Sequence, residues 1–222
     1  MAPEQPAASP GFTRRRHDAV LIVAGLAVLG LGMLTVRDGT VSDGEEATFH
    51  AINDLPELLY PILWPFQQLG ALVIGPIAAL IALVLRRYRL ALLLLAATVL
   101  KLVTERLVKA QVSRQRPETS IEADIHRRGD VSPSGESFVS GHALLVTALA
   151  TVISPYLQGR WKVVPWTCVG IVLVARVYVG AHNPLDVICG GALGLAVGGA
   201  LNLLVGVPRP ADVPGTTSAV SR

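Results

Sequence analysis

The sequence predicts an all-α, polytopic membrane protein, and three observations carry the prediction. Hydrophobic residues fill 51% of the 222 positions against 16% charged, with a mean hydropathy of +0.52; such a balance favours the membrane class over any soluble fold. The apolar residues gather into six runs, at residues 19–36, 68–85, 90–108, 138–154, 163–179 and 184–205. Each approaches the length that crosses a hydrocarbon core of about 30 Å at about 1.5 Å per residue. The basic residues, finally, fall in short clusters between those runs. The net charge of +3 and pI of about 9.1 are therefore topological, and no nucleic-acid partner is implied.

Taken in order, residues 1–17 are rich in Pro and Ala, end in Arg14, Arg15 and Arg16, and read as a disordered tail. The first run follows at once, and its flank "RDGTVSDGEE" offers no small-residue cleavage site, so it reads as a retained signal anchor. The second run contains Gly75-Pro76, which predicts a kink. Arginines 14–16, the "RRYR" turn and the pair Arg160 and Lys162 place three connections, and both termini, on the cytoplasmic side. The first loop, with six acids against Arg37 alone, then faces out. Tyr88, Tyr156, Trp161 and Trp166 fall near the inner interface and Trp64 near the outer one, as aromatic belts require.

The segment 109–136 breaks the pattern, because alternation turns it outward although it carries Lys109, Arg114, Arg116, Arg127 and Arg128. An outward basic loop of this length suggests an anionic ligand. In the sixth run Gly190, Gly194 and Gly198 recur every fourth residue beside Ala192, Ala196 and Ala200; close packing within the bundle is the first reading of such stripes and a homodimer the second. Residues 207–222 have no periodicity and read as a disordered tail, which leaves 18–206 as one six-helix domain. Cys168 and Cys189 lie in apolar runs without metal-ligand spacing, as small buried residues do.

The polar residues at the outward helix ends form a constellation. Lys109 and Arg116 follow the third run, Ser140, Gly141 and His142 open the fourth, Arg176 nears the end of the fifth, and His182 and Asp186 start the sixth. Three permanent cations match a phosphoryl group's charge, arginine forks fit its oxygens, and two helix starts add N–H groups. In "HNPLD", Asn183 reads as the helix cap and Pro184 as a first-turn residue. Asp186, one turn beyond His182, can then fix its tautomer and leave the other nitrogen free as a nucleophile. His142 is free to act as acid and base, with Ser140 and Gly141 holding phosphoryl oxygens.

These residues resemble a known family. "KAQVSRQRP" (109–117), "SGH" (140–142) and "RVYVGAHNPLD" (176–186) are similar, in order and spacing, to the three signature motifs of the type 2 phosphatidic acid phosphatases, relatives of bacterial acid phosphatases and vanadium haloperoxidases. The resemblance covers about a third of the chain. It implies phosphate binding by Lys109, Arg116 and Arg176, a general acid at His142, and a phosphohistidine at His182 supported by Asp186. Two positions depart from the family pattern, Val139 where proline usually precedes Ser-Gly-His and Ala175 where serine usually precedes the third-motif arginine. The nearby "SPSGES" (132–137) lacks the histidine and reads as a decoy.

Lys101 and Glu105 share a helical face with Lys109 and read as a structural ion pair. Arg114, Arg127 and Arg128 read equally as a solvated loop or an attractor of anionic headgroups. Tyr178 reads as an interface anchor. The expectation is an integral membrane lipid phosphatase that uses no cofactor and no metal, facing the outside. Its substrate would be a lipid phosphate monoester or diphosphate: a polyprenyl diphosphate, phosphatidic acid or phosphatidylglycerol phosphate. A lipid phosphotransferase, or a non-catalytic anion or lipid-phosphate transporter, is the alternative.

Overall fold

The computed structural model describes residues 11–121 and 124–209. Its helices in chain order are α1 (Arg16–Thr35), α2 (Asp43–Asn53), α3 (Tyr60–Gln67), α4 (Ile74–Val84), α5 (Tyr88–Lys109), the short α6 (Pro117–Ser120), α7 (Gly141–Ile153), α8 (Val163–Tyr178) and α9 (Pro184–Val205). The centre of the bundle is α9, which packs on α7 and α1, while α7 packs also on α8 and α5. Small residues allow these approaches. A Cβ on Gly190 would lie 2.5 Å from the Ser140 carbonyl oxygen, and one on Gly194 equally close to that of Leu144. The alanine stripe faces α1, where Gly25 lies against the Ala192 carbonyl and Ala196. Both stripes are thus used inside the chain, the packing that replaces a hydrophobic driving force between helices in lipid.

Among the described residues three helical segments are long and apolar enough to cross a membrane, Arg16–Thr35, Gly159–Tyr178 and Pro184–Val205, or four if a bent pair forms one span. The remaining runs of the sequence reading behave differently. The third is a helix of 22 residues but carries Lys101, Glu105 and Arg106. The fourth reaches only from Gly141 to Tyr156, and its first twelve residues are buried except His142. The second is not one helix over 68–85. Glu57–Gly70 and Ile74–Val84 meet at 71°, and the break precedes Gly75-Pro76. Pro76 lies in the first turn of α4, where its missing N–H costs no helical bond, so it starts a helix where a kink was expected.

The tails also differ from expectation over their described parts. Phe12–Thr13 (β1) pairs antiparallel with Val207–Pro208 (β2), and α1 already begins at Arg16. Arginines hold this end together: Arg14 Nε donates to the Leu203 carbonyl (3.0 Å) and Arg89 Nη2 to that of Val205 (2.9 Å) while stacking on Phe12. Cations at the carbonyl end of α9 complement its dipole, so charges read as topological also close the bundle. Residues 1–10 and 210–222, the outer parts of both predicted tails, lie outside the described residues. At the same end Asp18, fully buried, accepts two bonds from Arg15 (2.9 and 2.8 Å) and one from Asn202 (3.2 Å), joining α1 to α9.

Candidate active site

At the opposite end, four helix termini converge. α9 begins at Asn183, whose N–H donates to Asp186 Oδ2 (2.8 Å); the first-turn carboxylate thereby satisfies a backbone donor that the helix start leaves unpaired. Asp186 is completely buried and accepts two further bonds, from Arg114 Nη1 (2.9 Å) and from the Ser137 hydroxyl. His182 stands two residues before the first turn. Its Nδ1 is 3.7 Å from Asp186 Oδ2 and 3.3 Å from Ser137 Oγ. The direct imidazole–carboxylate hydrogen bond expected from spacing is therefore replaced by a contact that Ser137 bridges. Two consequences follow. Nδ1 faces the anchoring groups, and Nε2 is the nitrogen left for chemistry. Burial pushes the His182 imidazole down to about 4; Asp186 opposes the shift, while Arg176 and Arg116 add to it. The ring is thus neutral near pH 7 and keeps its lone pair.

Arg114 is the largest fully buried side chain among the described residues, although the sequence offered it equally as part of a solvated loop or as an attractor of anionic headgroups. Besides Asp186 it binds Glu45 of α2 through both terminal nitrogens (3.1 and 2.5 Å) and the Thr40 carbonyl (3.2 Å). Glu45 in turn accepts from the Leu185 N–H (2.9 Å). Burial alone would lower the guanidinium's affinity for its proton, but the bond to Glu45 and the charge of Asp186 outweigh it and hold Arg114 ionised. Ser137 belongs to the segment dismissed as a decoy. Its N–H donates to the Arg114 carbonyl (2.7 Å) and Gln115 bridges to Glu136, so the long basic loop folds back over the site. Arg128 is likewise buried, donating to the carbonyls of Asn53, Tyr178 and Leu55 (2.8, 2.7 and 3.0 Å) and stacking on Tyr178, itself fully buried and no interface anchor. Of the three loop arginines, Arg127 is the exposed one, paired with Glu118 (3.0 Å).

The predicted phosphate ligands surround this core. Arg116 donates to the Ala181 carbonyl (3.1 Å) and Arg176 to Gln67 Oε1 (2.9 Å), and the Nε of each is buried without a partner. Arg114 Nε is orphaned in the same way, and a buried donor without a partner costs about 1–3 kcal/mol. Lys109 is held by Glu105 (2.9 Å), which also binds Lys101 (2.7 Å). Gly141 faces that carboxylate: a Cβ there would lie 2.6 Å from either oxygen. His142 packs against Gly70, where a Cβ would lie 2.6 Å from that of His142, so the break between α3 and α4 brings the second histidine's support. Ser140 is buried as the N-cap of α7, its Oγ 3.5 Å from the Ala143 N–H. Val139 and Ala175 are both fully buried in packing roles.

The residues missed by sequence reasoning are Ser137, Glu45, Gln67 and the anchoring role of Arg114. Only Arg114 left a signal, since it lies inside the first motif; the others reach the site through long-range folding.

Comparison with known proteins matches this geometry to relatives. The chain is 31% identical over 120 residues to an undecaprenyl-diphosphatase of Sulfolobus acidocaldarius, covering 54% of this chain and 57% of that protein. It is 36% identical over 64 residues to a lipid A 4'-phosphatase of Porphyromonas gingivalis, covering 28% of this chain and 26% of the other. The matched regions therefore span little more than half of one relative and a quarter of the other. In three dimensions it resembles the LpxE structure from Aquifex aeolicus, with a TM-score of 0.63 and 25% identity over 70% of this chain and 92% of that one. It shares its fold with a phosphatidylglycerolphosphate phosphatase of the PAP2 type from Bacillus subtilis (TM-score 0.61, 18% identity, 85% and 95% covered). The PAP2 superfamily pattern matches residues 89–210, which hold all three motifs and every predicted site residue; the chain belongs to the PAP2 superfamily.

Proposed function

We propose that the protein is an integral membrane phosphatase that hydrolyses a lipid phosphate monoester or diphosphate through a phosphohistidine. The observation that carries the proposal is His182, neutral and held through Nδ1 by Ser137 beside Asp186, among arginines whose Nε donors lack partners. In the first step His182 Nε2 attacks phosphorus in line. The phosphorus–oxygen bond to the lipid breaks, and His142 protonates the departing oxygen. In the second, water activated by His142 attacks the phosphohistidine and releases inorganic phosphate. Lys109, Arg116 and Arg176 hold the phosphoryl oxygens, with the Ser140 hydroxyl and the Gly141 N–H at the start of α7. The donor set supplies the positive charge a metal would otherwise bring, and the reaction proceeds without one.

The names of the relatives support a lipid substrate. So does an open apolar groove of about 540 Å³ along α8, lined by Phe66, Trp161, Val164, Cys168 and Ile171; Phe66 adjoins Gln67, the partner of Arg176. A polyprenyl diphosphate or phosphatidate is the preferred substrate. In this reading six membrane passages lie within 18–206, the second made by the bent pair Glu57–Gly70 and Ile74–Val84, both termini are cytoplasmic and the site opens outward in the cell membrane. Replacing His182 by alanine tests the mechanism. Phosphate release from lipid phosphates in detergent with excess chelator should fall by about a thousandfold or more. Wild-type turnover in a folded His182→Ala protein, or loss of wild-type activity to the chelator, would sink it.

A further inference from the structure

The mechanism leaves Lys101 and Glu105 without a task, although charged side chains this deep in an apolar helix are costly and functional by default. Lys101, Glu105 and Lys109 occupy one face of α5 at four-residue intervals. Their ammonium groups flank a single carboxylate: Lys101 Nζ is 2.7 Å from one oxygen and Lys109 Nζ 2.9 Å from the other. Lys101 stands eight residues before Lys109, about 12 Å farther from the helix end, which is the direction of the hydrocarbon. The carboxylate itself presses on the first residue of α7, where glycine alone leaves room for it. An anionic group thus already occupies the space between two ammonium ions and the opening of a helix. His142, the group that protonates the leaving oxygen, is the next residue.

From this arrangement we propose that Lys101 is a second phosphate subsite, and that the substrate is a lipid diphosphate; the inference rests on the phosphatase reading of the same site. With the terminal phosphorus held by Lys109, Arg116 and Arg176, the next group of the substrate lies on the His142 side of the site, beside the α5 face that carries Lys101, before the tail turns to the apolar groove along α8. In a diphosphate the first group met on that path is the proximal phosphate. Attack by His182 breaks the bond between the terminal phosphorus and the bridging oxygen, and the departing group is the lipid monophosphate, which takes a proton from His142. Its gain in charge is met by the Lys101 ammonium, which has three N–H groups and spends one on Glu105. Glu105 is a positioning residue: its two oxygens hold the ammonium groups of Lys101 and Lys109 in register before substrate arrives. A monoester leaves a neutral alcohol on this side and needs no cation there. Lys101 therefore separates the two substrate classes.

The test compares farnesyl diphosphate with farnesyl monophosphate in detergent micelles, using the full chain. Loss of one charge-assisted contact in Lys101→Met should lower kcat/KM for the diphosphate by about 10–100-fold more than for the monophosphate. Lys101→Arg should restore most of the ratio. Equal losses on both substrates would show that Lys101 merely supports α5, and wild-type turnover of both would show that it touches no phosphate; either result overturns the proposal. If Lys101→Met fails to fold, Lys101→Gln replaces it, and competition by a farnesyl methylenediphosphonate against a farnesyl phosphonate reads the same selectivity as inhibition constants. A wild-type protein that releases phosphate from neither substrate overturns the phosphatase reading itself. Release from both, with selectivity independent of Lys101, overturns only the second subsite.

Discussion

Arg114 and Arg116 stand two residues apart in "SRQRP" and have opposite fates. Arg114 is completely buried and its terminal nitrogens are spent on Asp186, Glu45 and the Thr40 carbonyl. Arg116 makes a single bond, to a carbonyl; the buried Nε without a partner is common to both. One guanidinium builds the site and the other is left to bind within it. The difference lies in the partners: two carboxylates from α2 and α9 converge on Arg114, whereas none is bonded to Arg116. A guanidinium whose terminal nitrogens are all spent in the resting protein cannot also grip a phosphate, so terminal donors left open, more than charge or an orphaned Nε, set Arg116 apart from Arg114.

Removing Arg114 should produce the larger effect. Arg114→Met strands Asp186 and Glu45 without their cation, and breaking a buried pair in this way costs about 3–5 kcal/mol. Thermal unfolding in detergent should shift down markedly, with activity lost in parallel; a variant as stable as wild type would dissolve the contrast. Arg116→Met should do the reverse, leaving the unfolding midpoint nearly unchanged while kcat/KM for lipid phosphate falls about a hundredfold, as expected for lost charge-assisted contacts. Destabilisation comparable to that of Arg114→Met would assign both arginines to structure. The smallest effect sharpens the electrostatics. The His182 imidazole resonance should titrate near pH 4 and not near the ordinary value of about 6.5. Because the folded protein holds this ring neutral, the unfolded chain binds the extra proton first on acidification. Stability should therefore fall as pH drops from about 6.5 to about 4 and be unaffected by this group above that window. An unshifted titration would mean that the pocket is wet.

The two ends of the molecule carry the same lesson on a larger scale. At the end where β1 meets β2, arginines close on helix carbonyls and Asp18, and every bond is structural. At the other end, charges of the same types remain partly open. Charge clustering separates the two ends, and the motifs mark one of them as functional, but the structural bonds that close the other end leave no sequence signal.

Motif order was legible because chemistry fixes residue type and spacing within a short segment. The pairing of His182 with Asp186, the capping position of Asn183 and the common location of Lys109, Arg116, His142 and Arg176 are properties of helix starts and ends, set by nearby sequence. The small-residue stripes of α9 declared close packing for the same reason, since only a side chain's absence lets helices approach. What the tertiary structure decided lies across long sequence separations. Glu45 reaches Asp186 through Arg114, Gln67 meets Arg176 from a broken helix, and Ser137 enters between His182 and Asp186 from a segment without a recognisable motif. No local periodicity encodes those meetings, because they arise only when the loops fold over the bundle and every buried charge must find its partner.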